Sequence, residues 1–414
     1  MIPYKFNLLG VSNNKSNNIS SFKIQGDSLN EMYITPVEDC VVDFGDGTKQ
    51  TFTGNNSSTR VTHSYSESNI YTIKIIGNHS NFRASQNTIE IIQISNSVTN
   101  YSYMFYNCSS LTAIPETLII PNSITDCAYM FYGCSSLTAI PSTLTIPNSV
   151  TDCSHMFSNC KSLTTIPSTL TIPNSVTDCS YMFYGCPKLT AIPSTLTIPN
   201  SVRNCKDMFS SCSSLTEIPS TLIIPNSVTN CSEMFSNCTS LTAIPETLTI
   251  PNSVTNCSNM FYNCSKLTAI PSTLTIPNSV TNCSRMFYDC SKLTAIPSTF
   301  TLGNSVTNCS QMFRDCSSLT AIPSTLTIPN SVTNCSYMFA YCSSLTSDIS
   351  NIWPSTWNYT RTINLTSVFH SCSKITGTVP ADKLWNSGKK FSSGSCFRNC
   401  TSLTNYDEIP AGWK

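Results

Sequence analysis

The chain has 414 residues, with 22 Lys and Arg against 22 Asp and Glu, 11% charged in all and 40% hydrophobic. A net charge of zero without any Lys/Arg run argues against nucleic acid and anionic membrane as main partners, because phosphate recognition needs a basic patch. No run of about 18 apolar residues is present, so no membrane insertion is predicted.

Residues 1–20, MIPYKFNLLGVSNNKSNNIS, are too polar for a secretory leader: the one apolar stretch, Phe6 to Val11, is interrupted by Asn7 and Gly10. No lipobox or C-terminal anchor is visible. That suits a virion component assembled in a host cytoplasm, with a bacterial cell surface as the alternative location. Residues 21–88 read as a small all-β unit, with strand candidates at 21–24, 32–36, 40–43, 49–53, 60–65 and 70–76 separated by Asn, Ser and Gly turns. Within it, Val42-Asp43-Phe44-Gly45-Asp46-Gly47-Thr48, Thr62-His63-Ser64-Tyr65 and Tyr71-Thr72-Ile73-Lys74-Ile75 resemble the PKD family, with Val42 where that family usually has tryptophan. The resemblance implies an immunoglobulin-like sandwich that serves as a spacer or adhesion module. Asp43 and Asp46 are candidate Ca²⁺ ligands, but a tight Asp-Gly turn accounts for them without a metal, and none is predicted.

Residues 89–346 repeat a 26-residue unit, typified by Leu137 to Ser162, and its Met-Phe pair recurs without a slip from Met104-Phe105 to Met338-Phe339 in ten copies. A fixed period of this size predicts a solenoid, since one unit cannot bury its own apolar face and stacked neighbours can. Ile92, Ile94, Asn96 and Val98 already fall in the solenoid frame, so the β unit runs into the first coil without a flexible linker. Leu137, Ile140, Leu144, Ile146 and Val150 suit extended segments ended by Pro141 and Pro147. Cys153, Met156, Phe157 and Cys160 stand at i, i+3, i+4 and i+7, which predicts a two-turn helix with those four facing inward. Asp or Asn precedes the first cysteine of each copy, or Tyr101 in the first, as a helix N-cap. Asn122, Asn148, Asn174 and their successors to Asn330 predict a structural asparagine ladder along the stacked turns.

The segment Val150 to Ile166, VTDCSHMFSNCKSLTTI, resembles the BspA-like surface leucine-rich-repeat family, whose units share a VT-x-x-S-x-MF-x-x-C-x-SL core. The resemblance covers roughly residues 89 to 405 and departs from the pattern in the cysteine three before each Met. It implies a surface-exposed binding or adhesion protein, of a kind known in bacteria and some parasitic protists and carried by some phage genomes. The fold class expected is therefore mainly β with short helices: a leucine-rich-repeat-type solenoid of about twelve 26-residue coils behind an N-terminal PKD-like β-sandwich.

Of the 23 cysteines, two recur in nine of the ten regular coils, the first coil having Tyr101 at the first position, and seven residues of helix, about 10.5 Å, separate them too far for a bridge within one coil. Columns of small buried thiols are the favoured reading, over disulfides between coils. Zinc is disfavoured because the four histidines, His63, His79, His155 and His370, do not repeat. Residues 347–414 hold all four tryptophans and read as degenerate repeats and a C-terminal cap, with a ligand-binding aromatic tip as the alternative. No nonrepeating constellation of acid, base and nucleophile exists, nor any phosphate-loop or HExxH motif, so the chain is not read as an enzyme and no cofactor is expected.

What varies between copies is the residue before Met and the residue two after it. These positions supply Tyr103, Tyr106, Tyr129, Tyr132, Tyr181 and Tyr184, concentrated in the first four coils. At i and i+3 of the expected helix they form an exposed ridge, and tyrosine gives much contact area at small entropy cost. The expectation is a non-enzymatic recognition or adhesion protein that binds a protein or glycan on a host or cell surface through this ridge. A purely structural spacer or decoration protein is the alternative.

Overall fold

The structure, a computed structural model, describes residues 18–26, 29–354, 357 and 362–414. The expected N-terminal segment therefore lies outside the described residues through residue 17, and its end, Ile19 and Ser20, already belongs to a strand.

Period-two alternation builds the first unit. Its strands are β1 (Ile19–Gly26), β2 (Leu29–Pro36), β3 (Cys40–Asp43), β4 (Lys49–Phe52), β5 (Thr59–Ser64), β6 (Asn69–Ile76), β7 (His79–Arg83) and β8 (Thr88–Gln93). They pair antiparallel in two sheets, ordered β4-β3-β6-β1-β8 and β5-β2-β7. Phe22, Ile24, Val42, Ile73 and Ile75 of the larger sheet and Met32, Ile34, Val61 and Phe82 of the smaller are buried, and the Phe22 and Phe82 rings stack across the gap at 5.7 Å. Two strands escaped the sequence pattern. HSNFR of β7 has one hydrophobic core residue, Phe82, and β8 carries Ile92, which the repeat frame assigned to the first coil; instead β8 pairs with β1.

The Asp43–Thr48 turn uses both carboxylates internally. Asp43 Oδ1 accepts the Gly45 amide at 3.0 Å, while Asp46 Oδ1 accepts the Thr48 amide at 2.9 Å and Asp46 Oδ2 meets His63 Nε2 at 2.7 Å. Gly45 has φ +82, and a Cβ there would press on the Thr72 backbone, so the turn requires glycine. The buried Tyr65 hydroxyl donates to the Phe44 carbonyl at 2.8 Å and ties the turn to the smaller sheet's end.

The solenoid corrects the expected helices. No α-helix occurs among the described residues; the Cys-to-Cys segment is a run of turns. Met130, Tyr132 and Cys134 amides bond locally to Cys127, Tyr129 and Phe131 carbonyls at 3.1–3.2 Å. The alternate amides, of Cys127, Tyr129, Phe131 and Gly133, donate instead to Asp152, Ser154, Met156 and Ser158 of the next coil at 2.7–3.0 Å. A helix would spend every amide within its own segment; here every second one joins two coils. The alternation needs left-handed residues, and the position before each Met has φ of 55–61° from Tyr103 to Tyr337. The position before each second cysteine, from Asn107 to Tyr341, has φ of 53–71° and is mostly Asn, Asp or Gly, the residues that tolerate that region best.

Other local devices follow the sequence more closely. Each Asp or Asn before the first cysteine still accepts an amide, two residues on rather than at a helix start, as Asp152 does from Ser154 at 2.8 Å. The same residues form one parallel bridge per coil, from Asp126–Asp152 to Asn334–Asn364. Proline carbonyls open the expected turns: Leu144 donates to Pro141 O and Val150 to Pro147 O. The asparagine ladder is not built as expected. Those side chains follow the turn proline and point to solvent, and among the described residues only Asn278 Oδ1 reaches its neighbour, accepting the Asn304 amide at 2.8 Å. Threonine supplies the repeated side-chain rungs, as when Thr164 Oγ1 donates to Thr138 O at 3.3 Å and Thr169 Oγ1 to Ser142 O at 2.6 Å.

Inside the coils run apolar columns. Phenylalanines stack from Phe105 through Phe131 and onward to Phe339, Phe369 and Phe397 with ring centres 5.4–6.1 Å apart. Burial of each such side chain is worth about 1.5–3 kcal/mol before ordering entropy is subtracted. All 23 cysteines are buried and free. The second cysteine of each coil donates to the Phe carbonyl of the coil before, Cys160 Sγ to Phe131 O at 3.3 Å and Cys186 Sγ to Phe157 O at 3.3 Å, so the column needs a small side chain with one weak donor.

Both ends of the column are covered. At the first coil β7 acts as the preceding coil: Thr99 donates to Ser80 O, Ala84 to Met104 O, and Cys108 Sγ to Ser85 O. Phe82 then meets Phe105 edge to face at 5.9 Å. At the far end Trp413 stacks on Phe397 at 6.3 Å and its carbonyl accepts the Phe397 amide. Trp353, Trp357 and Trp413 are buried and Trp385 packs against Trp413. Two short parallel strands, β9 (Ile363–Asn364) and β10 (Phe391–Ser392), continue the ladder there.

Candidate functional site

The left-handed turn that replaces the helix decides where the variable side chains go. At Tyr103, Tyr129, His155 and Tyr181 it turns each side chain outward at the same height of successive coils, and the rings stack: Tyr103 on Tyr129 at 4.6 Å, Tyr129 on His155 at 4.2 Å, and His155 on Tyr181 at 4.3 Å, all within 10° of parallel. Beside this row Tyr106 stacks on Tyr132 at 4.9 Å, and each row touches the other, Tyr103 with Tyr106 at 5.5 Å, Tyr129 with Tyr132 at 5.6 Å and Tyr181 with Tyr184 at 5.6 Å. The six tyrosines thus share one patch, but the last two join it only through His155, which the sequence reading left out. The clue was present, because His155 occupies the same variable column as Tyr129 and Tyr181.

The ridge differs from the expected one in exposure. Tyr103, at the open end, is 42% exposed, whereas Tyr106, Tyr129, Tyr132, Tyr181 and Tyr184 are half-buried because most ring faces are spent on one another. Ring edges and hydroxyls are what the ladder presents. Both ends carry a cation: Arg83 lies over Tyr106 at 5.7 Å, and Lys206 Nζ over Tyr181 at 5.5 Å.

Beyond Tyr181 the column turns acidic. Asp207 is 3% exposed, with Lys206 Nζ at 3.7 Å; burial, then the neighbouring Glu233 carboxylate, push its pKa up to about 6. His155 moves the other way: burial lowers its pKa against the pull of Asp178 and Asp152, and its Nδ1 is buried without a hydrogen-bond partner. A second cluster follows on the same face, with Tyr262 stacked on Tyr288 at 4.8 Å and Arg314 over Tyr288, Tyr337 and Tyr341 at 5.1–5.4 Å.

The cysteines offer no nucleophile. Burial pushes Cys108 up to about 12 and the others upward as well, which holds them as thiols at neutral pH. Among the described residues no group of three or more His, Cys, Asp or Glu is placed to hold a metal ion. No helix of the described residues is long and apolar enough to cross a membrane.

Invariant apolar columns inside and a variable, partly aromatic face outside define a leucine-rich-repeat-type protein. A family model for the BspA type leucine rich repeat region, six copies long, matches residues 49–190 and 127–268, together more than half of the chain. The chain belongs to the BspA-type leucine-rich repeat family. A second family model, described as a Mycoplasma protein of unknown function, matches residues 225–326 and 281–409. No curated protein and no solved structure matches the chain. Repeats of the BspA type are typical of surface-displayed and adhesion proteins, and the family is generally non-enzymatic.

Proposed function

We propose that the chain is a non-enzymatic recognition protein, displayed on a phage virion or a bacterial cell surface, that attaches to a protein or glycan through the aromatic ladder of its first four coils. The carrying observation is the continuous ring stack Tyr103–Tyr129–His155–Tyr181 with Tyr106 and Tyr132 beside it. Half-buried rings held by their neighbours lose little conformational freedom on binding, which favours contact surfaces made of tyrosine. In this reading the eight-stranded unit is a PKD-like module that starts and holds a solenoid of twelve coils. The near-identity of the inward columns and Ser/Thr faces supports the rival reading, a spacer whose copies set length alone.

Replacing Tyr129, Tyr132, Tyr181 and Tyr184 with serine separates the two. Attachment to host or partner cells is expected to disappear in a variant whose circular dichroism still reports the folded solenoid. Each lost ring pair costs about 0.5–1.5 kcal/mol, so thermal stability falls, contrary to what a freely exposed ridge would predict. Undiminished attachment by the folded variant supports the spacer or moves the site elsewhere.

A further inference from the structure

We propose that the junction between the sandwich and the first coil binds a carboxylate-bearing saccharide, with Arg83 taking the carboxylate. Arg83 ends β7, and its guanidinium carbon lies 4.3 Å from the centre of the Tyr33 ring and 5.7 Å from that of Tyr106. Those rings pack against the fork yet occupy none of its N–H donors with an oxygen. Among the described residues no group accepts a hydrogen bond from it or pairs with it as an ion. Glu31, the acid that feels its charge, is already held by Arg60 Nη2 and the Tyr33 hydroxyl, each at 2.6 Å. A half-buried guanidinium that keeps its donors open is suited to a bidentate contact with a planar anion.

The surroundings narrow the ligand. Arg83 opens onto a groove of about 670 Å³ between Tyr33 and Tyr103, and every other lining residue, Ser80, Asn81 and Asn100 among them, is serine, threonine or asparagine. No carboxylate and no aliphatic side chain lines it, and Arg83 is its one charge. Aromatic rings beside hydroxyl and amide groups match the two kinds of surface on a sugar ring, whereas a peptide needs an apolar pocket or an open sheet edge. On the β7 edge the Ser80 carbonyl is already taken, because the Thr99 and Asn100 amides both donate to it.

The inference rests on reading the chain as a recognition protein, and it puts the charged end of the ligand where the aromatic ladder begins. The test titrates the full chain with oligogalacturonate and with its methyl ester, and with sialyllactose and lactose, by calorimetry. At least one acid is expected to bind roughly tenfold or more tightly than its neutral counterpart. Arg83→Gln is expected to erase that difference, and Arg83→Lys to restore part of it, with thermal unfolding of each variant measured alongside. Equal binding of acid and neutral forms, discrimination that survives Arg83→Gln, or no binding of either acid overturns the proposal. If Arg83→Gln leaves attachment to cells intact while the tyrosine variant loses it, the junction site fails and the recognition reading stands.

Discussion

Asp207 illustrates how one variable position sets a pH response. Its carboxyl is raised from an ordinary value of 3.8 to about 6 by burial and by Glu233, so the folded chain holds that proton more tightly than the unfolded chain. Its contribution is therefore fully present below about pH 4 and is lost as pH rises through 6. At pH 7 the ionised, buried carboxylate costs up to roughly 3 kcal/mol. Asp207→Asn is expected to raise the melting temperature at pH 7.5 and to change it little at pH 4. His155 works with the opposite sign, since its lowered pKa makes protonation on acidification destabilising. The wild type and Asp207→Asn share that histidine, so the difference between their pH curves isolates the aspartate. A pH-independent difference would show that Asp207 ionises as freely as an exposed carboxylate.

At the scale of the element, the left-handed turn is what makes a coil. Gly133 has φ +71, and a Cβ there would press on Asn107 Oδ1 of the preceding coil. Asn159 holds the equivalent place one coil on with φ +58, and Asn263 Nδ2 donates to Asn237 Oδ1 at 3.0 Å where two asparagines succeed each other. Gly133→Ala is expected to destabilise by about 1–2 kcal/mol, and Gly133→Asn by less, because asparagine tolerates the left-handed region and can bond its neighbour. Urea unfolding of the two variants measures this; an alanine variant as stable as wild type would mean the turn relaxes to another conformation. The sequence pointed to a helix here because Cys153, Met156, Phe157 and Cys160 have helical spacing. The Asn, Asp or Gly before most second cysteines was the contrary signal, since a column of left-handed formers has no use inside a helix.

For the whole molecule, stability is the sum of one interface repeated and two ends closed. Deleting residues 215–240 joins Ser214 to Leu241 in frame and brings identical inward columns into contact. The shortened chain is expected to fold, with a maximum dimension in solution scattering reduced by about 5 Å and only a small loss in melting temperature. Trp413→Ala should cost far more, about 3–5 kcal/mol, because it uncovers Phe397 at the end of the phenylalanine column. A deletion more damaging than the tryptophan change would show that the coils are not interchangeable.

The period of 26 residues and the apolar positions within it determined by themselves that coils stack, which side chains face inward, and that Pro141 and Pro147 mark turns. Those properties are local or simply repeated, so one copy read carefully stands for all. Alternation likewise located β1 to β6, most clearly β2, β3 and β6, whose buried residues recur every second position, whereas β4 and β5 bury one residue each. Only the tertiary structure decided between helix and turn, because an amide has the same sequence whether its acceptor is four residues back, as in a helix, or in the next coil, as Phe131 N has Met156 O. The same neighbour contacts placed His155 between two tyrosines, made β7 the template for the first coil and set Arg83 between Tyr33 and Tyr106. Tyr33 and Arg83 meet across two paired strands far apart in the chain, and no spacing rule within the sequence encodes such a contact.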